Sequence, residues 1–314
     1  MLDLIIVGGG PAGASAGVYA ARKRLKTVLV VKEWGGQSTV SDNIQNWIGS
    51  PTISGQQLAE NLRKHVESYA GDSLSVVFPD TAVALAQDND KVTVTLASGK
   101  KYEARAVLIT AGAARRKLEI PGAAEYDQKG LTYCATCDGP LFEGKDVAVI
   151  GGGNAAFETA AQLLAYCKTV TIVNRSETFR ADEITVRAVL AHSNIRVIKN
   201  AILTEVVGDK FVTGLKYKLA GKDAEEILSV EGIFVEIGLL PNTSWLADSL
   251  VLNKIGQIEV DPLTQRALMP DDKHTPSRVW AAGDCTDGKY HQNNIAAGDA
   301  VKALEDIYLF IKSS

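Results

Sequence analysis

The sequence predicts an α/β fold of two similar halves, each a largely parallel sheet with other elements layered on both of its faces. Three observations carry that expectation. An apolar β-rich run, a glycine turn, an alanine-rich stretch and a second β-branched run occur twice, as DLIIVGGGPAGASAGVYAARKRLKTVLVVKE from Asp3 and DVAVIGGGNAAFETAAQLLAYCKTVTIVNRS from Asp146, 143 residues apart. In each copy the order of periodicities is that of a βαβ unit, in which parallel strands are joined by a helix. The 314 residues, 46% of them hydrophobic, also exceed what one core usually organises, so two domains are expected.

Within each copy the glycines have mechanical roles. Gly8 and Gly151 permit the tight turn, Gly10 and Gly153 let a pyrophosphate approach the backbone, and Gly13 and Ala156 let helix and strand pack closely. That pattern is the fingerprint of a dinucleotide-binding, Rossmann-like unit. A single copy is weak, because ordinary α/β proteins also use glycine turns; two copies in the same context are strong. The ends of the second strands differ. Glu33 stands twenty residues after Gly13, whereas Arg175 stands nineteen after Ala156. An acid there suits a free ribose hydroxyl and an arginine accepts a 2′-phosphate, so the first site suits FAD and the second NADPH. Both residues also admit a plainer reading as solvated charges, Glu33 especially, with Lys32 beside it.

Each unit is followed by alternating residues with turn signals, Ser98-Gly99 in the first half and Gly221 in the second, read as a meander returning to its own sheet. Between the first unit and its meander, SGQQLAENLRKHVESYAGD reads as a helix. Ser54 and Gln57 form its capping box, Leu58, Leu62, Val66 and Tyr69 its buried face, and Gly71 its stop, with His65 on the solvated side. The tail supplies a strand ending at Gly283-Asp284 and then an amphipathic helix. That is too little for a third domain, so it must complete one of the other two.

Composition narrows the function classes. A formal charge of −4 with no long basic run leaves no footprint for nucleic acid or an anionic membrane. No apolar run approaches the ~18 residues of a membrane span, and the first strand begins too near Met1 to leave room for a signal peptide, so a cytoplasmic protein is expected.

Four cysteines, two of them in YCATCDGPLF, do not make a disulfide framework. A zinc site needs two further ligands, usually a second close pair, and none exists, so no metal is expected. A redox dithiol needs two cysteines close enough to bridge, one able to ionise, and an acid to handle the proton; Cys134, Cys137 and Asp138 supply these. Cys167, in an alanine-rich stretch, and Cys285, after Asp284, read as buried packing residues.

The ordered set GGGPAG, Gly35-Gly36-Gln37, Asn46-Trp47, CATCDG, GGGNAA and AAGD at 281–284 resembles the low-molecular-weight thioredoxin reductases along essentially the whole chain. CDGPLFEGKDVAVIGGGN, IGLLPNTSWL and GDCTDGKYHQ are similar above all to the reductase core of the alkyl hydroperoxide reductase flavoprotein, without that protein's extra N-terminal dithiol domain. The resemblance implies a discontinuous FAD-binding domain, 1–113 and 244–314, with an NAD(P)-binding domain, 114–243, inserted and carrying the CATC motif. It implies FAD contacts from Gly8, Gly10, Pro11, Ala12, Gly13, Glu33, Gln37, Asn46, Gly112, Gly283, Asp284, His291 and Gln292, with Asp284 accepting from the ribityl chain. It implies nicotinamide dinucleotide contacts from Gly151, Gly153, Asn154, Ala155, Ala156, Arg175 and Arg180.

In that family's pattern Cys137 meets the flavin, Cys134 attacks the partner's disulfide and Asp138 is the acid/base, on a stretch that opens a helix whose dipole lowers a thiol pKa. The inserted domain rotates about two links, here Ala111–Ala114 and Gly238–Asn242. Thioredoxin or a similar small dithiol protein is the implied partner, and a homodimer the implied assembly. Two departures stand out. The family's His-Arg-Arg, three residues and Arg is here Asn174-Arg175-Ser176 with Arg180 retained, which weakens 2′-phosphate binding and admits NADH. Near the flavin, Tyr290-His291-Gln292 has a histidine where arginine or lysine is usual. Alternatives remain: ferredoxin as donor, a peroxiredoxin-linked carrier as acceptor, or a dinucleotide-sensing module without turnover.

Overall fold

The structure, a computed structural model, describes residues 1–41, 44–88, 90–270 and 277–313. It divides into two compact units, Met1–Ala114 with Leu240–Ser314, and Arg115–Leu239. The first begins with β1 (Leu2–Gly9), α1 (Pro11–Arg22) and β2 (Thr27–Trp34), then a 3₁₀ turn at Gly36–Val40. It continues through α2 (Gly55–Glu67), β3 (Leu74–Val77), β4 (Ala82–Gln87), β5 (Val92–Leu96) and β6 (Lys101–Ile109). The sheet order is β3-β2-β1-β6-β5-β4, parallel from β3 to β6 and antiparallel beyond it.

Because β1 is covered on both faces, its residues alternate between two cores: Leu4 and Ile6 join Leu29, Val31 and the α1 alanines, whereas Ile5 and Val7 join Val28, Val30 and β5. Burial on both faces is why LIIV is a continuous apolar run. Ser54 caps α2 by accepting the Gln57 N–H at 3.1 Å, but the Gln57 side chain donates to Asn61 at 2.9 Å, so only half of the expected box forms. The helix ends at Glu67, before Gly71; Leu58 and Val66 are buried and His65 is exposed.

After β7 (Ala113–Arg115), the second unit runs through β8 (Leu131–Thr132), α3 (Ala135–Asp138), a 3₁₀ turn at Gly139–Phe142, β9 (Asp146–Ile150), α4 (Asn154–Leu163) and β10 (Thr169–Val173). Then come α5 (Glu183–Leu190), β11 (Ile195–Ile198), β12 (Ala201–Gly208), β13 (Val212–Leu219), β14 (Glu225–Ser229) and β15 (Gly232–Val235); β16 (Leu239–Pro241), where the chain returns to the first unit, pairs with β7 as a ribbon. A parallel sheet of order β11-β10-β9-β15-β8 has α4 and α5 packed on one face, where Val147, Val149 and Phe234 meet Phe157, Leu163 and Val189. On the other face Ala148, Ile150 and Ile233 meet Leu215 and Tyr217 of a separate sheet, β12-β13-β14.

The two meanders therefore differ, contrary to the expectation of two alike. In the first half β6 is long enough to pair with β5 at Lys101–Ala104 and with β1 out to Ile109, so meander and core share one sheet. In the second half the equivalent strand is broken: β14 pairs with β13, and β15 with β9 and β8. The β15 edge is taken by β8, and Gly232 lies so near the Phe142 ring that a Cβ there would be 2.4 Å from it. The meander has no edge to join and forms its own sheet.

The tail completes the first unit. β17 (Val279–Ala281) pairs in parallel with β6 at Val107–Ile109, and α6 (Asn293–Ser313) lays Ala300, Ala303, Leu304 and Ile307 in the same core as α1. Asp306 fastens the two, accepting from Trp280 Nε1 at 2.9 Å and from Arg266 at 3.0 Å.

The two helix–strand approaches are unequal. A Cβ on Gly13 would lie 1.9 Å from the Gly8 carbonyl oxygen, whereas Ala156 already has a methyl at the matching place. Gly13→Ala is expected to cost about 1–3 kcal/mol by overpacking, and Ala156→Gly about 1 kcal/mol through helix propensity. Melting curves of both variants check this, and an unchanged Gly13→Ala would refute the tighter packing.

Candidate active site

The first glycine turn is built by backbone closeness. Gly8 has φ +126° and no room for a side chain, since a Cβ would lie 2.1 Å from the Thr110 carbonyl oxygen; Thr110 in turn donates its hydroxyl to Val7 O at 2.8 Å. In front of Gly10 nothing lies within 4 Å. Gly10 also caps α1 without a side-chain hydrogen bond, and Pro11 and Ala12 continue into the helix, leaving first-turn amides open to an anion. Gly35 N donates to Gly9 O at 2.9 Å, which brings the Gly35–Gln37 loop beside the turn, with Gln37 and Glu33 exposed.

Around the α6 N-terminus further expected residues gather. Asn46 Nδ2 donates to Gln292 Oε1 at 3.1 Å, Ser38 donates to Asn293 at 3.0 Å, and Gly283, at φ +79°, sits 3.1 Å from the Ala296 methyl, measured from where its Cβ would be. Gly112 has open space before it. Asp284 has a protein neighbour: His291 Nδ1 lies 3.5 Å from its carboxylate, and His291 Nε2 lies 3.4 Å from Gln257. The histidine that departs from the family pattern is thus seated between an acid and an amide. Ser41, in the same loop system, has a buried hydroxyl without a partner among the described residues. The open space before Gly10, the uncapped helix start and the orphaned Ser41 hydroxyl fit a bound dinucleotide with a polar tail such as FAD.

The second turn repeats the scheme with differences. Gly151 has φ +145° and its Cβ would meet Glu236 O at 2.4 Å, while Gly153 has open space and caps α4 without a side-chain bond. Asn154 and Ala155 are exposed; Asn154 Oδ1 accepts Asp182 N–H at 2.8 Å and so fastens the start of α5. Arg180 N donates to Gly152 O at 2.7 Å, and Asn174 Nδ2 donates to the carbonyls of Ser176 (2.7 Å) and Thr178 (3.1 Å). This wiring holds the 175–180 loop against the turn. Arg175 and Arg180 are exposed on it and make no ion pair among the described residues, whereas Glu177 is engaged by Lys199 (3.1 Å) and Asn200 (2.7 Å), which hold its carboxyl below the usual range. This unit too has the open glycine and uncapped helix that a second dinucleotide requires.

The cysteine motif lies in the same unit. Cys134 and Cys137 are joined as a disulfide, half-buried, with Cα atoms 5.3 Å apart. The expected helix is a single turn, α3, passing into the 3₁₀ turn, so a long helix dipole is not what acts on the sulfurs; the local contact is Cys137 N–H to Cys134 Sγ at 3.2 Å. Asp138 is buried and accepts a hydrogen bond from the Thr132 hydroxyl. Burial raises the other two thiols, Cys167 and Cys285, to about 11, which leaves them protonated and inert at neutral pH.

A family model described as pyridine nucleotide-disulphide oxidoreductase matches residues 2–300. The chain belongs to the pyridine nucleotide-disulphide oxidoreductase family. It is 39% identical over 309 residues to the F component of alkyl hydroperoxide reductase from Staphylococcus aureus (strain MRSA252), covering 98% of this chain and 59% of that protein. It is 38% identical over 304 residues to a protein named NADH dehydrogenase of Bacillus subtilis (strain 168), covering 96% of this chain and 57% of the relative. The chain thus spans less than two thirds of the curated relatives it matches. Among solved structures, thioredoxin reductase from Giardia duodenalis aligns with a TM-score of 0.90 at 30% identity, over 99% of each chain. As a pyridine nucleotide-disulphide oxidoreductase the protein is a flavoprotein oxidoreductase with two Rossmann-like domains, and the family implies FAD and a nicotinamide cofactor.

Sequence reasoning did not single out Thr132 or Glu236. Glu236 directly follows β15 beside Gly151, accepting from Thr159 at 2.8 Å with Arg115 at 3.4 Å; the visible signal was a lone acid inside the apolar run IFVEIG. Burial pushes the Glu236 carboxyl up, against the pull of Arg115. From the ordinary value of 4.5 up to that raised value the folded state holds the extra proton, so this group's contribution lowers stability as pH rises through the window and keeps it lower above. Glu236→Gln is therefore expected to raise the melting temperature, relative to the parent, more at neutral pH than at pH 4.5. Parallel melts at both pH values check it, and a pH-independent difference would refute it.

Proposed function

We propose that the protein is an NADPH-dependent FAD disulfide reductase that reduces thioredoxin or a similar small dithiol protein through Cys134 and Cys137. The observation that carries this reading is one turn holding a disulfide and a buried carboxylic acid, in the unit that also holds the second dinucleotide turn. FAD, held by the first turn with Gln37, Asn46, Asp284 and Gln292, supplies two-electron transfer between a hydride donor and a disulfide. NADPH is held at Gly151, Gly153 and Ala156 with Arg175 and Arg180.

With the pair reduced, Cys134 attacks one sulfur of the partner's disulfide as a thiolate, and the partner's other sulfur leaves as a thiolate. Cys137 then attacks Cys134 Sγ, re-forming the internal disulfide and releasing the partner as a dithiol. Asp138 takes the Cys137 proton in that second attack and returns it to the partner sulfur that leaves Cys134, while the sulfur expelled in the first attack takes its proton from water, so the partner gains two electrons and two protons. The Cys137 N–H on Cys134 Sγ supports the choice of attacker, because a hydrogen bond to sulfur favours the thiolate. A second acceptor, a peroxiredoxin-linked carrier, is favoured by the 39% identity to the F component of alkyl hydroperoxide reductase.

Anaerobic addition of NADPH, then of NADH, to the yellow protein is expected to bleach the flavin, and the reduced protein to reduce thioredoxin. Cys134→Ser should keep the bleaching and lose thioredoxin reduction, while Cys137→Ser should accumulate a mixed disulfide with it. Turnover retained in both variants would remove the pair from the mechanism.

The donor is a separate prediction. Arg175 and Arg180 favour a 2′-phosphate through charge-assisted bonds, and Ser176 gives up one such bond, about one to two powers of ten in binding. Ser176→Arg is expected to lower the NADPH Michaelis constant by about that factor and leave NADH nearly unchanged. Equal effects on the two donors in steady-state kinetics would show that this loop does not read the phosphate.

A further inference from the structure

Thr132 stands outside the motif, two residues before Cys134, and it is the residue through which the turn is tied to the sheet. It lies on β8, in register with Phe234 of β15, and is buried, so its backbone is fixed by the ladder and its branched side chain has few rotamers. Its hydroxyl has two neighbours. Cys134 N–H points at Thr132 Oγ1 from 3.3 Å, and Thr132 Oγ1 donates to Asp138 Oδ2. Asp138 N in turn donates to Cys134 O at 3.1 Å, which closes a small ring of bonds around the disulfide.

The donors in this ring are fixed by their chemistry. A backbone N–H can only donate, so Thr132 Oγ1 accepts from Cys134, and its single hydrogen goes to Asp138. An ionised Asp138 accepts it. Were Asp138 protonated on Oδ2, Thr132 would have to accept there as well, and its own hydrogen would be stranded in a buried place. Thr132 therefore disfavours a proton on Oδ2 and favours the ionised form of that oxygen. Besides Cys134 and Cys137, the elements packed on α3 carry few titratable groups: Glu158 on α4 is exposed, and the Gly139–Phe142 turn has none.

We infer that Thr132 is a positioning residue for the dithiol chemistry, holding the Asp138 carboxyl beside the cysteine turn through its hydroxyl and so favouring the ionised acid. The inference rests on the proposed role of Asp138, and the test separates the two. Protein reduced with dithiothreitol and freed of it under argon is mixed with dithiobis(nitrobenzoate), and release of the aromatic thiol is followed across a pH series. The wild type, Asp138→Asn, Thr132→Val, Thr132→Ser and Thr132→Ala are compared.

Thr132→Val keeps shape and loses the hydroxyl, and is expected to slow closure of the internal disulfide about ten- to a hundred-fold at neutral pH, with the Asp138-dependent limb of the profile moved upward. Thr132→Ser keeps the hydroxyl and is expected to stay within about three-fold of the wild type, since only a methyl is lost. Thr132→Ala repeats the hydroxyl deletion without the valine's bulk, so a failure of Thr132→Val to fold leaves the outcome readable. Overturning results are a wild-type profile in Thr132→Val or Thr132→Ala, or equal losses in the serine and alanine variants, which would mark packing alone. If Asp138→Asn itself matches the wild type, the acid/base role of Asp138 falls; if it is slow while the alanine variant is not, only the role of Thr132 falls.

Discussion

The approach of α1 to the end of β1 is the constraint on which the first unit depends. Gly8 and Gly13 meet with so little space that the carbonyl of one would touch any Cβ on the other, and Thr110 closes the same point from β6. Only a chain without side chains at those two places can turn from strand to helix there. That turn starts α1 at Gly10, where a Cβ would meet open space, and it sets α1 where α6 can pack small residue against small residue. Sheet order, helix packing and the uncapped helix start are one solution, because moving α1 outward to admit a methyl would open the core and shift that start together.

The second unit solves the same problem with more slack. Ala156 occupies the place of Gly13, and Glu236 occupies the place of Thr110, with its carbonyl against Gly151 and its carboxyl buried beside Thr159 and Arg115. A neutral hydroxyl in one half is thus a partly desolvated acid in the other. The broken meander follows from a similar exchange. β8 takes the edge of β15 that a meander would have used, and in doing so presents Thr132 to Asp138. The arrangement around the disulfide is therefore a by-product of strand pairing as much as of the CATCD motif.

That dependence explains what was readable in the residues. The fold class and the doubled turn were legible, because each is signalled by local periodicity or by glycines whose role is fixed by backbone geometry, whereas which half the tail completes was implied only by the resemblance. The closeness of Cys134 and Cys137 was legible because two intervening residues bring the sulfurs within bridging reach. Thr132 and Glu236 were not, since each acquires its role from a residue on another element, and a threonine before a turn or an acid at a strand end is unremarkable alone. The Gln57 side chain shows the same limit in reverse: the capping pattern was present, yet Asn61 offered it a better partner. The His291 contact with Asp284 was likewise invisible until the chain between them was folded.

The loop after β10 is held by a backbone bond from Arg180 to Gly152 and by the side chains of Asn174 and Asn154, and not by the side chains of Arg175 or Arg180. Its scaffold and its exposed side chains are consequently separate inheritances. Side-chain changes at Arg175, Ser176 or Arg180 leave every one of these bonds in place, so the surface this loop presents can change in charge without any change in the backbone that carries it.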